Sequence, residues 1–430
     1  MSNELNSVAV GFLILNAILL LVLPRNWSIL PLLIGTCFMT LGQGLELGTY
    51  NFTIIRMLIG VGFIRVLMNT ERFSGGINSL DWLILVWGGW ALISSGFHEN
   101  PDQAFTNRLG LIYDVCGIYL LFRCFCRSVN DIFRTCQLVA ILIVPIAIFM
   151  LLEMKTGFNF FGVFGGVSEF SEIREGAVRS QGPFLHSILA GTVGAALLPI
   201  MVSVWQQHRK IAISGLLACT AMILTSGSSG PILSALAGIG ALSMWRYRSR
   251  MRLVRWLAVL GYIGLDIVMK APAYYLIARI SPIGSSMGWH RARLIESALE
   301  HFSEWWLVGT DYTRHWMPTG VIWSADHTDI TNHYLKMGVL GGLPLMLLLI
   351  ATFAIGFQYV GRIIKNLEDH NKQFSFFFWS LGSSLFVHAV SCISVSYFDQ
   401  SFIFLYMTIA MIASAMSSTN LENQEPKSIL

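Results

Sequence analysis

The chain has 430 residues, of which 54% are hydrophobic and 12% charged, and its mean hydropathy is +0.63. A soluble domain carries about 25% charged residues. This chain therefore cannot cover its surface with polar groups, and lipid must be most of its solvent. The net charge of +4 says little as a total, and no nucleic-acid partner is expected.

A bilayer core takes about 20 apolar residues per helix. In chain order the apolar runs predict spans at 8–23, 28–43, 52–69, 81–97, 109–125, 133–153, 185–206, 211–226, 231–245, 254–270, 333–358, 374–397 and 401–417. The expected fold class is all-α, a polytopic integral membrane protein of about 12–13 transmembrane helices. Residues 1–430 form one membrane domain with two long loops, 154–184 and 271–332. The first run follows MSNELN, which has no positive charge, and precedes Arg25, so it reads as a retained helix and not a cleaved leader. The cysteines lie in or beside apolar runs and read as small buried hydrophobes. Cys124 and Cys126 are too close together for the usual zinc spacing.

Lys and Arg in short loops set orientation. Taken alternately, one set of loops holds Arg25, Arg72, Arg123, Arg127, Arg134, Arg209, Lys210, the run Arg246 to Arg255, Arg362, Lys365 and Lys372. The other set holds almost none, and its segments GQGLELGT and HENPDQAF are net acidic. The first set is expected to be cytoplasmic. Both long loops then share the outer face, because an even number of spans separates them. Those loops carry Arg174, Arg179, Arg279, Arg291, Arg293 and Arg314, arginines that can hold a phosphate or diphosphate in bidentate fashion. Within the spans, Arg56 and Asp114 suggest an ion pair.

Four stretches carry candidate chemistry. In Arg179-Ser-Gln-Gly-Pro-Phe-Leu-His186, Gly182-Pro183 breaks the chain just before a helix whose first N–H groups are free to meet an anion. Thr225-Ser-Gly-Ser-Ser-Gly-Pro231 is a turn of small residues, suited to close helix packing or to lining a ligand. Trp289-His-Arg-Ala-Arg293 leads into an amphipathic surface helix, with Leu294, Ile295, Ala298, Leu299 and Phe302 on its apolar face and Glu296, Glu300, His301 and Glu304 off it. Finally, Asp326-His327-Thr-Asp329-Ile-Thr-Asn332-His333 places two histidines among acids at the mouth of a span. A histidine there suits a general base. Asp326, His327, Asp329 and His333 could ligate a metal only if the segment folded back on itself, and no metal or other cofactor is expected.

These residues resemble the O-antigen ligase and O-antigen polymerase superfamily of bacterial inner-membrane glycosyltransferases. Arg179 with Gly-Pro-Phe-Leu-His resembles that family's R…G-x-F-x-H pattern. The LTSGSSGP turn is similar to its small-residue turn, without the arginine often found there. Leu307-Val308-Gly309 resembles a "pllG" turn. His327, followed by ten residues and Gly338-Val-Leu-Gly341, matches the ligases' loop-histidine spacing, whereas Asn332-His333-Tyr-Leu resembles H-N-x-Y-L with Thr331 in place of the first histidine. The resemblance spans roughly residues 175–360. It implies a GT-C-like fold with a periplasmic loop and a metal-independent, inverting glycosyltransferase of the inner membrane. The donor would be an oligosaccharide on polyprenyl diphosphate, held in membrane lipid. A chain-length regulator or other polysaccharide-assembly protein would be a partner. Catalytic roles then fall to Arg179 and His327, and substrate binding to Arg279, Arg291, Arg293, Asp326, Asn332 and His333. A flippase of lipid-linked oligosaccharide is the rival class.

Overall fold

The computed structural model describes residues 5–174, 176–279, 287–367 and 372–422. The chain is mostly helical. Five helices are long and apolar enough to cross a membrane: Val129–Thr156, Ser187–Val204, His333–Leu367, Phe374–Ser391 and Ser401–Ser418. By length and composition these make it a multi-pass membrane protein. Each of the other predicted spans also falls on a helix, but most of these are shorter, down to ten residues in Ile29–Phe38.

Helix ends follow from local sequence. Asn78 caps Ser79–Ser95 and Ser128 caps Val129–Thr156, each in a reciprocal box with an aspartate, Asp81 and Asp131. Val129–Thr156 stops at Gly157, whose φ of 72° is the left-handed conformation that glycine adopts without strain. Met251–Val268 has no buried residue. It runs beside Met244–Arg250 and Ala273–Tyr275, so its apolar side chains suit contact with lipid.

Polar anchors gather at two ends of the bundle. At one, Arg123 is fully buried and donates to both carboxylate oxygens of Asp81 at 2.8 and 2.9 Å. Arg65 donates to the carbonyls of Leu20 and Leu23 at the end of the first helix, and Arg25 and Arg134 both approach Asp131. At the other end Gln43 donates to the Phe164 carbonyl at 2.6 Å, and His98 bonds Asp311 at 2.5 Å. Loops expected on opposite faces thus assemble separately. Near the Gln43 end, in the first turn of Ile54–Met68, Arg56 and Asp114 form the expected pair, bidentate at 2.8 and 2.7 Å.

The helix His333–Leu367 is broken, with non-helical backbone at Gly341 and Gly342 and Pro344 just beyond. A break frees carbonyls, which cannot stay unpaired away from water. Here the Val339 carbonyl accepts from the Thr310 N–H, that of Leu340 from the Arg108 guanidinium, and that of Gly341 from the Trp90 indole at 2.7 Å. The Leu343 N–H donates to the Trp306 carbonyl at 2.7 Å. The Leu307-Val308-Gly309 turn therefore lies against the Gly338–Gly342 segment.

Gly342 has φ +76°, and a Cβ there would meet the Leu307 carbonyl. Gly342→Ala should destabilise the protein by about 1–3 kcal/mol from backbone strain alone, read as a lower thermal midpoint in detergent. Gly361→Ala, with open space around it, should leave the midpoint within a degree or two. Equal midpoints for the two variants would refute the role given to the break.

Candidate functional site

The site begins with a buried carboxylate. Glu153, near the end of Val129–Thr156, accepts from the N–H groups of Gln181 and Gly182 at 3.0 and 2.8 Å and from the Ser171 hydroxyl at 2.9 Å. Asn159 donates to the Gly182 carbonyl, and Gly182 itself has φ +58°. This fixes the turn after Arg179. On the far side Asp399 accepts from the Leu185 N–H at 2.9 Å, and Gln400 donates to the Pro183 carbonyl at 2.6 Å. Burial pushes the Asp399 carboxyl up, against the bonds it accepts from Ser401 and Leu185.

Arg179 ends the second strand of a short hairpin, in which Glu172–Arg174 pairs with Ala177–Arg179 and Glu172 stands opposite Arg179. Its guanidinium is buried. It donates to Glu172 at 2.7 Å and to the Ser228 hydroxyl at 2.6 Å. Its Nε is buried with no partner. Burial lowers its pKa, with Glu172 opposing and Arg174 adding to the effect. The Ser180 N–H donates to the Thr225 carbonyl, which binds the loop to the small-residue turn.

Of the two roles foreseen for that turn, the structure shows the close packing. A Cβ on Gly191 would meet Ser226 and Pro231, so the residues allow tight packing of Ser187–Val204 on Ser229–Ser243. The same turn also carries the Arg179 contact. Ser228 caps Ser229–Ser243 without a side-chain bond to its first N–H groups, so that helix presents free donors and a positive dipole end.

Arg291 comes to the same place from the second loop. Its Nη2 lies 3.9 Å from where a Cβ on Gly230 would be, and its Nε too is buried without a partner. Burial lowers its pKa, while Asp329 opposes and Arg174 adds. Arg293 does not join it. Two residues apart on a helix, the side chains face away from each other. Arg293 pairs with Glu296 and Glu300 beside Tyr275. Arg279 is exposed at the end of Leu276–Arg279.

The candidate histidines separate as well. His333 is buried, and its Nδ1 accepts the Tyr397 N–H at 3.3 Å. Asn332 caps its helix by accepting the Leu335 N–H. Both are engaged in holding the helix start. His327 lies on the strand Ser324–Thr328, with its ring edge-on to Trp323 at 5.4 Å and its Nδ1 unpartnered. Asp326 is exposed beside it. His327 is two residues from Asp329, about 7 Å along extended chain. His290 donates to the Asp329 carbonyl at 3.1 Å, which ties the amphipathic helix to this segment.

Sequence reading quoted His186 at the end of the Arg179 stretch but gave it no role. Its Nδ1 accepts the Ile188 N–H at 3.1 Å and caps Ser187–Val204. It stands among Arg179, Glu172, Asp329 and Arg174. The signal was present in the sequence, since a histidine directly before a serine and an apolar run can cap a helix. The result is a cluster of Arg174, Arg179 and Arg291 near two helix starts, an arrangement able to bind a multiply charged anion. No family model matches the chain, and no curated protein matches its sequence.

Burial and the neighbouring arginine lower the His186 pKa from its ordinary 6.5. A histidine held neutral in the folded state contributes stability that is complete above pH about 6.5 and declines as pH falls toward the lowered value. His186→Asn keeps a capping side chain without the titration. Between pH 7.5 and 5.5 the wild-type thermal midpoint should therefore fall further than that of the variant, and equal slopes would refute this.

Proposed function

We propose that the protein is a membrane glycosyltransferase that moves an oligosaccharide from a polyprenyl-diphosphate donor onto a sugar hydroxyl, as a polysaccharide polymerase or ligase. The observation that carries this reading is the convergence of two guanidiniums, the buried Arg179 and the half-buried Arg291, on the 226–230 turn, each with a buried Nε that has no partner among the described residues. Buried cationic donors left partly unsatisfied are costly unless a ligand completes them. A diphosphate supplies the acceptors, and a lipid-anchored one reaches a pocket at the end of a membrane bundle. The resemblance in the Arg179, 226–231, Leu307–Gly309 and His327–Gly341 segments supports the same class. The finer fold reading goes with it: about 12–13 spans, GT-C-like, in a bacterial inner membrane with the two loops periplasmic.

In the reaction, the acceptor hydroxyl oxygen attacks the anomeric carbon as the bond from that carbon to the diphosphate oxygen breaks. A single displacement inverts the anomeric configuration. Negative charge grows on the departing diphosphate, where Arg179, Arg291 and the start of Ser229–Ser243 stabilise it. The hydroxyl proton passes to His327, whose buried Nδ1 has no hydrogen-bond partner among the described residues. His333 suits this role less, since its Nδ1 is bound to Tyr397. Arg293, held by two glutamates on the other side of its helix, is not part of the diphosphate site.

The test uses the purified full-length protein in lipid nanodiscs with a polyprenyl-diphosphate oligosaccharide, and measures released polyprenyl diphosphate. Wild type should release it. Arg179→Ala, Arg291→Ala and His327→Ala should each lower the rate by about 100-fold or more, and Arg293→Ala by less than about threefold. A flippase would release none, and wild-type rates from the first three variants would overturn the assignment.

A further inference from the structure

Where the amphipathic helix ends, three side chains outside the anion pocket converge. His301 and Glu304 are three apart on one face of the turn that follows Met287–Glu300, and His315 comes from Arg314–Trp316. One candidate donor atom from each lies within 4.8 Å of the others. The His301 and His315 rings meet edge-on at 4.7 Å between centroids. His315 Nε2 is 2.9 Å from Glu304 Oε2.

The histidines are also oriented. His301 Nδ1 donates to the Ser297 carbonyl at 2.8 Å, which leaves Nε2 as its remaining ring nitrogen for a ligand bond. A metal-binding histidine is ordinarily held in this way, its other nitrogen donating to a backbone carbonyl. The His301 ring stacks on Trp316 at 5.9 Å and the His315 ring on Tyr312 at 4.9 Å. Trp316 Nε1 donates to Glu304 Oε2 at 3.1 Å, giving the carboxylate its own orienting partner. Burial alone would push the Glu304 carboxyl up, but the bonds from Trp316 and His315 outweigh it and hold the group below its usual range.

We propose that His301, Glu304 and His315 form a binding site for a divalent first-row metal ion, with zinc as the fitting ion. Two imidazole nitrogens and one carboxylate oxygen are a zinc donor set, and water completes the fourth position. Metal–nitrogen bonds of about 2.0–2.1 Å put tetrahedral ligands roughly 3.4 Å apart, so donors within 4.8 Å need only small side-chain adjustment. The proton now shared between His315 Nε2 and Glu304 is displaced on binding.

The site braces the second loop and stands apart from the donor chemistry. Arg314–Trp316 is tied to the hairpin of Gly320–Val321 with Ser324–Thr328, which carries His327: the Thr313 N–H donates to the Asp326 carbonyl and the Thr328 N–H to the Thr313 hydroxyl at 3.1 Å. A metal joining His315 to His301 and Glu304 would fasten this hairpin to the amphipathic helix. Its expected role is structural, so it does not depend on the glycosyltransferase reading.

The test is metal binding by the full-length protein in detergent, after chelation and gel filtration. Equilibrium dialysis with zinc chloride alone should give one tightly bound equivalent in wild type. His301→Ala with His315→Ala should lose that equivalent, and Glu304→Gln should weaken it by at least about tenfold. His208→Ala, at a distant loop, should keep it. Cobalt chloride gives a second reading on unmodified protein: visible absorption of a tetrahedral ion with nitrogen and oxygen ligands, which added zinc abolishes. Zinc should also raise the wild-type thermal midpoint, with the rise growing with concentration. The proposal is overturned if wild type binds no zinc or cobalt after chelation, or if the double variant, folded by gel filtration, retains the bound equivalent.

Discussion

Away from water every backbone polar group needs a partner inside the protein, and the break at Gly341 and Gly342 is where that rule shapes the molecule most. The freed carbonyls recruit Thr310, Arg108 and Trp90 from separate parts of the chain. Three segments far apart in sequence are thereby fixed to one point. The second loop leaves this point at Leu307–Gly309 and returns to it through His333. The stretch between these two points, with the strand Ser324–Thr328, is thus held at both ends.

The first loop is held by a different device. Glu153 gives both carboxylate oxygens to the turn after Arg179, and Asp399 reaches Leu185 from between the last two long helices. Two buried acids thus fix the backbone on either side of Gly182-Pro183. The arginine that emerges is rigid at its root, and its head group reaches Ser228. Pre-set geometry of this kind lets an arginine favour one anion shape over another.

Much of this was legible in the sequence because hydropathy and charge are additive along a chain. Apolar runs marked every long helix, and the alternation of arginines separated the two ends now seen in Arg123–Asp81 and Gln43–Phe164. The Arg56–Asp114 pair was legible because a lone charge in an apolar run needs an opposite one. Pairings that depend on direction were hidden. Nothing local says that Arg291 turns toward the 226–230 turn while Arg293 turns toward Glu296. The bond that sets His333 apart from His327 comes from the Tyr397 N–H, 64 residues away. The helix break was visible as glycines, yet its partners were not, because contacts such as that of Trp90 with Gly341 cross 251 residues. His301 and Glu304 were read as part of the polar side of a surface helix; their meeting with His315 was hidden, since His315 lies beyond that helix and only the folded loop brings it back.

The Glu172–Arg179 register has a consequence for selectivity. Because these residues face each other across the hairpin, the arginine carries its own counterion at rest. A monovalent anion gains little by displacing a carboxylate that is already in place. An anion with two phosphates can offer more charge and more acceptors than Glu172 and can engage Arg291 as well. Glu172 is half exposed, so it can swing into water when displaced. On the proposed reading the hairpin is a tethered competitor, and the charge a ligand must bring is set by the carboxylate it has to displace.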